Sequence, residues 1–270
     1  MPGPTSTHAA KNTVDVDDVP PLDLGPAICA DDEASRQHEW LLSNGRGGYA
    51  CGSVAGILDR RYHAALAAAV VPPDTRTVIL AKLDERLVGF ENGNDVSLTS
   101  DVWKDGGLTG FGHRHLVRFR LIDGRTEATW LLGSTRITRR MVMRHGHDAV
   151  VAEYTVEASK SPVQLAVKLI GGNRSADLLG VGADWVPRTV DSSPGEVRLE
   201  LPKTEHGGLK TPIAIRVRGA TFTASSQWYR GYQLDTEARR GYDCVDDHID
   251  FGEVTATLSE GDSVQIEVAA

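Results

Sequence analysis

Asp243, Asp246, Asp247 and Asp250 lie close together near the end of the chain, with Tyr242 beside them and Trp228, Tyr229 and Tyr232 upstream. Carboxylates accept hydrogen bonds from hydroxyls and flat aromatic faces pack on pyranose rings, so this grouping has the parts of a sugar-contacting edge. The same residue types also make a solvated loop beside buried ring anchors. A second constellation, Arg60-Arg61-Tyr62-His63, closes a run with glycines at 45, 47, 48, 52 and 56. An arginine fork clamps either a neighbouring domain's carboxylate or sugar hydroxyls, and His63 can hydrogen-bond both; ion pairing inside the fold is the alternative. So many glycines let the backbone take positive φ or approach something closely, which predicts a shaped surface and neither a core strand nor a helix.

Other chemistries fit poorly. His113 with His115, and His145 with His147, would share a face in extended chain, yet no nearby ligand spacing completes a zinc set. Asn44-Gly-Arg-Gly-Gly48 lacks the Gly-Lys-Ser/Thr of a phosphate loop and the strand-turn-helix frame of a dinucleotide site. Neither a metal nor a cofactor is expected.

The run Glu39-Trp-Leu-Leu-Ser-Asn-Gly-Arg-Gly-Gly-Tyr-Ala-Cys-Gly-Ser-Val-Ala-Gly56, closing on Arg60-Arg61-Tyr62-His63, resembles the start of the bacterial and archaeal type of glycogen debranching enzyme, the amylo-α-1,6-glucosidase family. The resemblance continues in Gly110-Phe-Gly-His-Arg-His-Leu-Val-Arg-Phe-Arg120, Arg139-Arg140-Met-Val-Met-Arg-His-Gly146, Trp228-Tyr229 and Arg239-Arg240-Gly-Tyr-Asp243, covering most of residues 38 to 268. Two departures stand out. Ala64 follows Arg-Tyr-His where the family usually has Gly, and His248-Ile-Asp-Phe-Gly252 stands where its late acidic motif usually runs into Ser-Pro-Gly.

The resemblance implies a large N-terminal β-sandwich followed in the family by a helical (α/α) barrel that carries the catalytic carboxylate pair. With the chain ending at Ala270 after a strand pattern, that barrel is expected to lie outside it, so no catalytic residue is assigned here. The implied role is to support the barrel and contact α-glucan, with the barrel and glycogen or a branched dextrin as partners. A free-standing glucan-binding module, or the sandwich of another two-part glycosidase or phosphorylase, is the alternative. The candidate substrate- or domain-contact residues are Asn44, Arg60, Arg61, Tyr62, His63, Trp228, Tyr229, Arg240, Asp243 and Asp247. An exposed apolar patch is expected where the barrel would pack.

The remaining composition sets limits. The 270 residues carry a net charge of −8, against nucleic-acid backbone binding as the main task. Arginines at 114–120 and 136–144 alternate with apolar residues, the pattern of a strand with a solvated face. Three cysteines are too few and too scattered for a disulfide framework, and together with the lack of a signal-peptide pattern or a long apolar run they predict a cytoplasmic, non-membrane protein.

The elements that must position these residues read as strands. Residues 1–26 carry too few large apolar groups to offset their own ordering and are expected to form a loose tail, ending in a short ordered segment near 22–28; residues 27–270 form one domain. Asn92-Gly93 between apolar runs predicts a hairpin between 87–90 and 96–98, with 77–83 as a separate strand. Period-two alternation follows through 117–121, 126–132, 137–144, 149–158 and 163–170. Residues 171–195 read as a long irregular loop, and strands resume at 197–201, 213–217, 220–224, 227–234, 254–258 and 264–268. That many strands without helical periodicity predict an all-β fold, a large antiparallel β-sandwich or super-sandwich with few or no helices.

Overall fold

The computed structural model describes residues 21–71 and 75–270. Of the expected tail, residues 1–20 lie outside the described residues. Strands are numbered β1 to β20 in chain order.

One sheet has nine antiparallel strands in the order β1 (Leu22–Leu24), β9 (Leu116–Ile122), β10 (Arg125–Leu132), β11 (Thr135–Met143), β12 (Ala149–Ala158), β20 (Ser263–Ala269), β16 (Thr211–Arg218), β15 (Glu196–Leu201) and β14 (Arg188–Ser193). Asp123 (φ 48°) and Gly124 (φ 69°) turn β9 into β10, the left-handed pair that a tight hairpin requires. Period two puts Phe119, Ile137, Met141 and Tyr154 inward and leaves the other face to charge. Glu127 stands opposite Arg120 and Arg140 on its two neighbouring strands and pairs with both, while Glu267 pairs with Arg144 and Arg216. The arginines of 114–120 and 136–144 thus mostly form a solvated ion-pair ladder, each exposed pair adding little stability. At the edge, every residue of β14 is exposed, and Val190 is an extra residue between the pairs Thr189–Leu199 and Asp191–Arg198.

The second sheet runs β17 (Thr221–Ala224), β19 (Val245–Leu258), β13 (Val163–Ser175), β5 (Thr75–Glu91), β4 (Ala64–Val71), β3 (Tyr49–Ser53), β2 (Glu39–Ser43), with β18 (Trp228–Gln233) also on β19 and β6 (Asn94–Ser97) on β5. Asn92 (φ 53°) and Gly93 (φ 83°) close the expected hairpin. A small pair, β7 (Asp101–Val102) and β8 (Leu108–Thr109), lies apart. The sandwich is the all-β fold that the alternation predicts.

Three expectations need correction. Residues 77–83 and 87–90 belong to one 17-residue strand, because β13 and β4 pair along its length. The loop predicted over 171–195 shrinks to 176–187, since β13 runs on to Ser175 and β14 begins at Arg188. The glycine-rich stretch does contain strands, β2 and β3, with Trp40, Leu42 and Ala50 buried. The short ordered segment expected near 22–28 comprises β1, which pairs with β9 as part of the sandwich, and a short helix, Pro26–Cys29, after it.

Phe119, Tyr154, Phe251, Leu66, Ile79 and Leu80 fill the space between the sheets, each contributing about 1.5–3 kcal/mol of apolar burial. A second apolar layer, built on Ala64, Ala67, Val78, Ile170 and Tyr232, covers the outer face of the second sheet. Short helices α1 (Pro26–Cys29), α2 (Asp32–Gln37) and α3 (Asp235–Arg239) are the α-helical elements among the described residues.

Candidate functional site

The glycine-rich motif begins as the β2–β3 hairpin. Its loop is closed by Asn44, which is fully buried: its Oδ1 accepts from the backbone N–H of Arg46 (2.8 Å) and Gly48 (3.0 Å). Its Nδ2 donates to Asp148 Oδ1 (2.7 Å) and to the His147 carbonyl (3.1 Å), in the turn after β11 in the opposite sheet. A Cβ on Gly48 would sit 2.2 Å from Asp148 Oδ1 and 2.5 Å from Asn44 Nδ2, so only glycine admits this crossing. Asn44 is therefore a staple between the sheets, correcting its assignment as a contact residue.

The motif ends in a turn in which the His63 N–H donates to the Arg60 carbonyl (3.1 Å). His63 is buried, and its Nδ1 accepts from the Asp59 N–H (3.2 Å), which leaves the ring proton on Nε2, 3.5 Å from Glu39 Oε1. It too is corrected: it acts behind the surface. Arg60 Nε donates to Glu39 Oε1 (2.5 Å) and the Tyr62 hydroxyl to Glu39 Oε2 (3.2 Å). His63 first, and then Arg60, hold the Glu39 carboxyl down at about 2. This fixed group borders an open depression of about 430 Å³ lined by Leu41, Tyr49, Cys51 and Tyr62, with Leu41 59% exposed.

Arg61 points the other way and joins the two distant motifs. Its backbone N–H donates to Glu237 Oε1 (3.4 Å) of α3 and its guanidinium lies 3.6 Å from Glu237 Oε2. The same guanidinium donates to the carbonyls of Asp177 (3.2 Å) and Asp243 (3.4 Å) and stacks 5.3 Å from the Tyr242 ring centroid. Arg240 approaches that ring at 5.2 Å. Arg36 of α2 adds a second tie, donating to Asp59 and Asp235 at 2.6 Å each. Beside Arg61 opens a cleft of about 620 Å³, whose walls include Leu178, Val181, His206, Tyr242 and Asp243.

Asp246 and Asp247, at the start of β19, shape that cleft from behind. Asp246 accepts from Gly180 N–H (2.6 Å) and Arg174 Nη2 (2.6 Å); Asp247 accepts from Gly182 N–H (2.9 Å), Arg230 Nη1 (3.0 Å) and Gly231 N–H (2.8 Å). Gly231 (φ 87°) is the extra residue of a bulge in β18, which turns its N–H out of the ladder toward the carboxylate. Asp247, buried, is thus a latch on loop 176–187, correcting its assignment as a contact. Trp228 and Tyr229 are half-buried; the indole donates to the Trp185 carbonyl (3.1 Å), and the Tyr229 hydroxyl accepts from Lys168 (2.5 Å). Of the ten candidates, Arg60 and Tyr62 flank the depression, Arg61 and Asp243 line the cleft, Arg240 stacks on the Tyr242 ring, and the other five serve packing and internal hydrogen bonds.

Among the described residues, no group of three or more His, Cys, Asp and Glu side chains is placed to hold a metal. Sequence reasoning passed over Glu39, Leu41, Leu178, Val181 and His206. Strand periodicity through 39–43 could have exposed Leu41 beside Glu39; nothing local to 178–181 or 206 announces a meeting with Tyr242.

Comparison with known proteins follows the motifs. The sequence profile of the family described as glycogen debranching enzyme N terminal matches residues 38–265. No curated protein sequence matches the chain. Among solved structures, a bacterial glucoamylase complexed with acarbose matches at 9% identity and a TM-score of 0.34, over 86% of this chain and 32% of its own length, a likeness too loose to bear on function. With the profile spanning both the glycine-rich motif and the latch aspartates, the chain belongs to the glycogen debranching enzyme N-terminal family.

Proposed function

We propose that this sandwich is the non-catalytic part of a two-part α-1,6-glucosidase acting on glycogen or a branched dextrin in the cytoplasm. A helical catalytic domain docks on the depression between Leu41 and Tyr62. The observation that carries the reading is the rigid, half-apolar platform that the family's first motif builds: an ion-paired Glu39–Arg60–Tyr62 rim around an exposed Leu41. Exposed apolar surface beside a fixed polar rim fits a domain interface.

The buried carboxylates support a supporting role. Among the described buried carboxylates Asp59, Glu85, Glu127, Glu237, Asp246, Asp247 and Glu267 each pair with an arginine and Asp101 with Lys82, leaving Asp250 as the one without a cation, whereas glycoside hydrolysis needs two carboxyls free to face a substrate, one of them protonated. Free Cys29, Cys51 and Cys244 fit a reducing compartment, and among the described residues no helix is long and apolar enough to cross a membrane.

The test mixes this chain with a separately expressed helical domain of a debranching enzyme and follows association by sedimentation. Complex formation that Leu41→Asp weakens by about tenfold or more is expected, since a central anchor is lost. Absence of any complex, or glucose release from a limit dextrin by this chain alone that one carboxylate substitution abolishes, would overturn the reading.

A further inference from the structure

We propose that the cleft beside Arg61 is an α-glucan contact site of this domain, separate from the docking depression, in which glucose units pack on Leu178, Val181 and Tyr242 and give their hydroxyls to Arg61, Asp243, Glu205 and His206. The inference rests on the family reading for the identity of the sugar; the cleft itself is argued from its own geometry.

Size comes first. At about 620 Å³ the cleft falls within the ~300–1,000 Å³ of small-ligand sites. Its lining alternates in character: Leu178, Val181 and Tyr242 are 46%, 50% and 53% exposed, while Arg61, Glu205 and Asp243 bring charged groups to the same walls. One guanidinium, Arg61, stands on the walls against two carboxylates, Glu205 and Asp243, while Arg240 reaches only the Tyr242 ring, 5.2 Å from its centroid. An excess of carboxylate over guanidinium disfavours a phosphate ester. A neutral ligand with apolar C–H faces and a rim of hydroxyls matches both the apolar walls and the mixed donors and acceptors.

The walls are also built in advance. Buried Asp246 and Asp247 hold Gly180 and Gly182, and His206 Nε2 lies 3.1 Å from the Val181 carbonyl, tying the 206 turn to the same loop. Arg61 spans from Asp177 to Asp243 across the mouth. Three half-exposed apolar side chains are thereby fixed in place, so binding has little loop ordering to offset.

Calorimetric titration of the 270-residue chain with maltoheptaose, beside cellohexaose, tests this. Saturable binding of maltoheptaose but not of cellohexaose is expected, weakened about tenfold or more by Tyr242→Ala. Val181→Trp, which fills the cleft without touching the core, is expected to have the same effect, and Leu131→Ala on the opposite sheet none. No binding at ~10 mM maltoheptaose, or equal binding by Tyr242→Ala, overturns the proposal. Loss of helical-domain capture by Tyr242→Ala without any maltoheptaose binding also overturns it, and assigns the cleft to the docking interface. Docking that depends on Leu41 with no maltoheptaose response defeats this inference and leaves the proposed function standing.

Discussion

Replacing Arg139 by methionine is expected to be among the most damaging single changes in the sandwich, and its cost follows from what it would strand. Glu85 of β5 is fully buried between the sheets; its Oε1 accepts from Arg139 Nη1 of β11 (2.5 Å) and from the Tyr154 hydroxyl of β12 (2.8 Å). Among the described residues Glu85 Oε2 and Arg139 Nε have no hydrogen-bond partner, and the guanidinium stacks 5.4 Å from the Trp130 ring centroid. Arg139→Met leaves a buried carboxylate with one hydroxyl for company, a loss of about 3–5 kcal/mol. For a domain of this size that is roughly 6–20 °C in midpoint. Removing all three polar groups together, as Glu85→Leu/Arg139→Met/Tyr154→Phe, leaves nothing unpaired and is expected to return stability to within about 1 kcal/mol of the parent or above it. Urea denaturation of the variants at pH 7 is the assay, with an unchanged slope required. A single variant that loses under about 1 kcal/mol, or a triple variant as unstable as the single, would refute the claim that the cluster is costly only when broken.

Other outcomes follow from the same packing. Burial holds the His248 imidazole at about 4 against its ordinary 6.5, so the unfolded chain binds its proton first. Stability should be full above pH 6.5 and fall by about 3 kcal/mol toward pH 4. His248→Phe should flatten denaturation midpoints measured across that window. Burial also raises the Cys29 thiol to about 11 and the Cys51 thiol to about 12, so a chromogenic disulfide reagent should label the half-buried Cys244 before either in the folded protein. Asp246→Asn removes the charge facing both Arg174 and the Gly180 amide, and hydrogen exchange at Gly180 and Gly182 should quicken about tenfold or more. Gly48→Ala drives a methyl into Asp148 and Asn44, and thermal denaturation should show a loss of about 1–3 kcal/mol.

The sequence spoke most clearly where the deciding contacts are local. Asn92-Gly93 and Asp123-Gly124 announce their hairpins because the left-handed pair is chosen by those residues alone. The solvated-face reading of the 136–144 arginines fails at Arg139, which shares the odd positions of β11 with Ile137 and Met141 and lies buried with them. What stayed hidden depends on partners far along the chain. Asn44 looked like a surface amide until Asp148 came to it from the other sheet, and Asp247 looked like a sugar ligand until the N–H groups of Gly182 and Gly231 used its oxygens. The length of β5 follows from neighbours on both sides, which no window of its own sequence contains.

The extra residue at Val190 has a consequence for how molecules of this protein meet one another. A straight outer strand with all its side chains in water offers a row of backbone donors and acceptors to any similar strand, and copies can then add edge to edge without limit. The bulge breaks that row midway, and Arg188 and Asp191 put charge on either side of the break. Deleting Val190 would restore an even ladder, turning a protected margin into a seed for fibrous assembly, even though nothing in the sandwich interior would have changed.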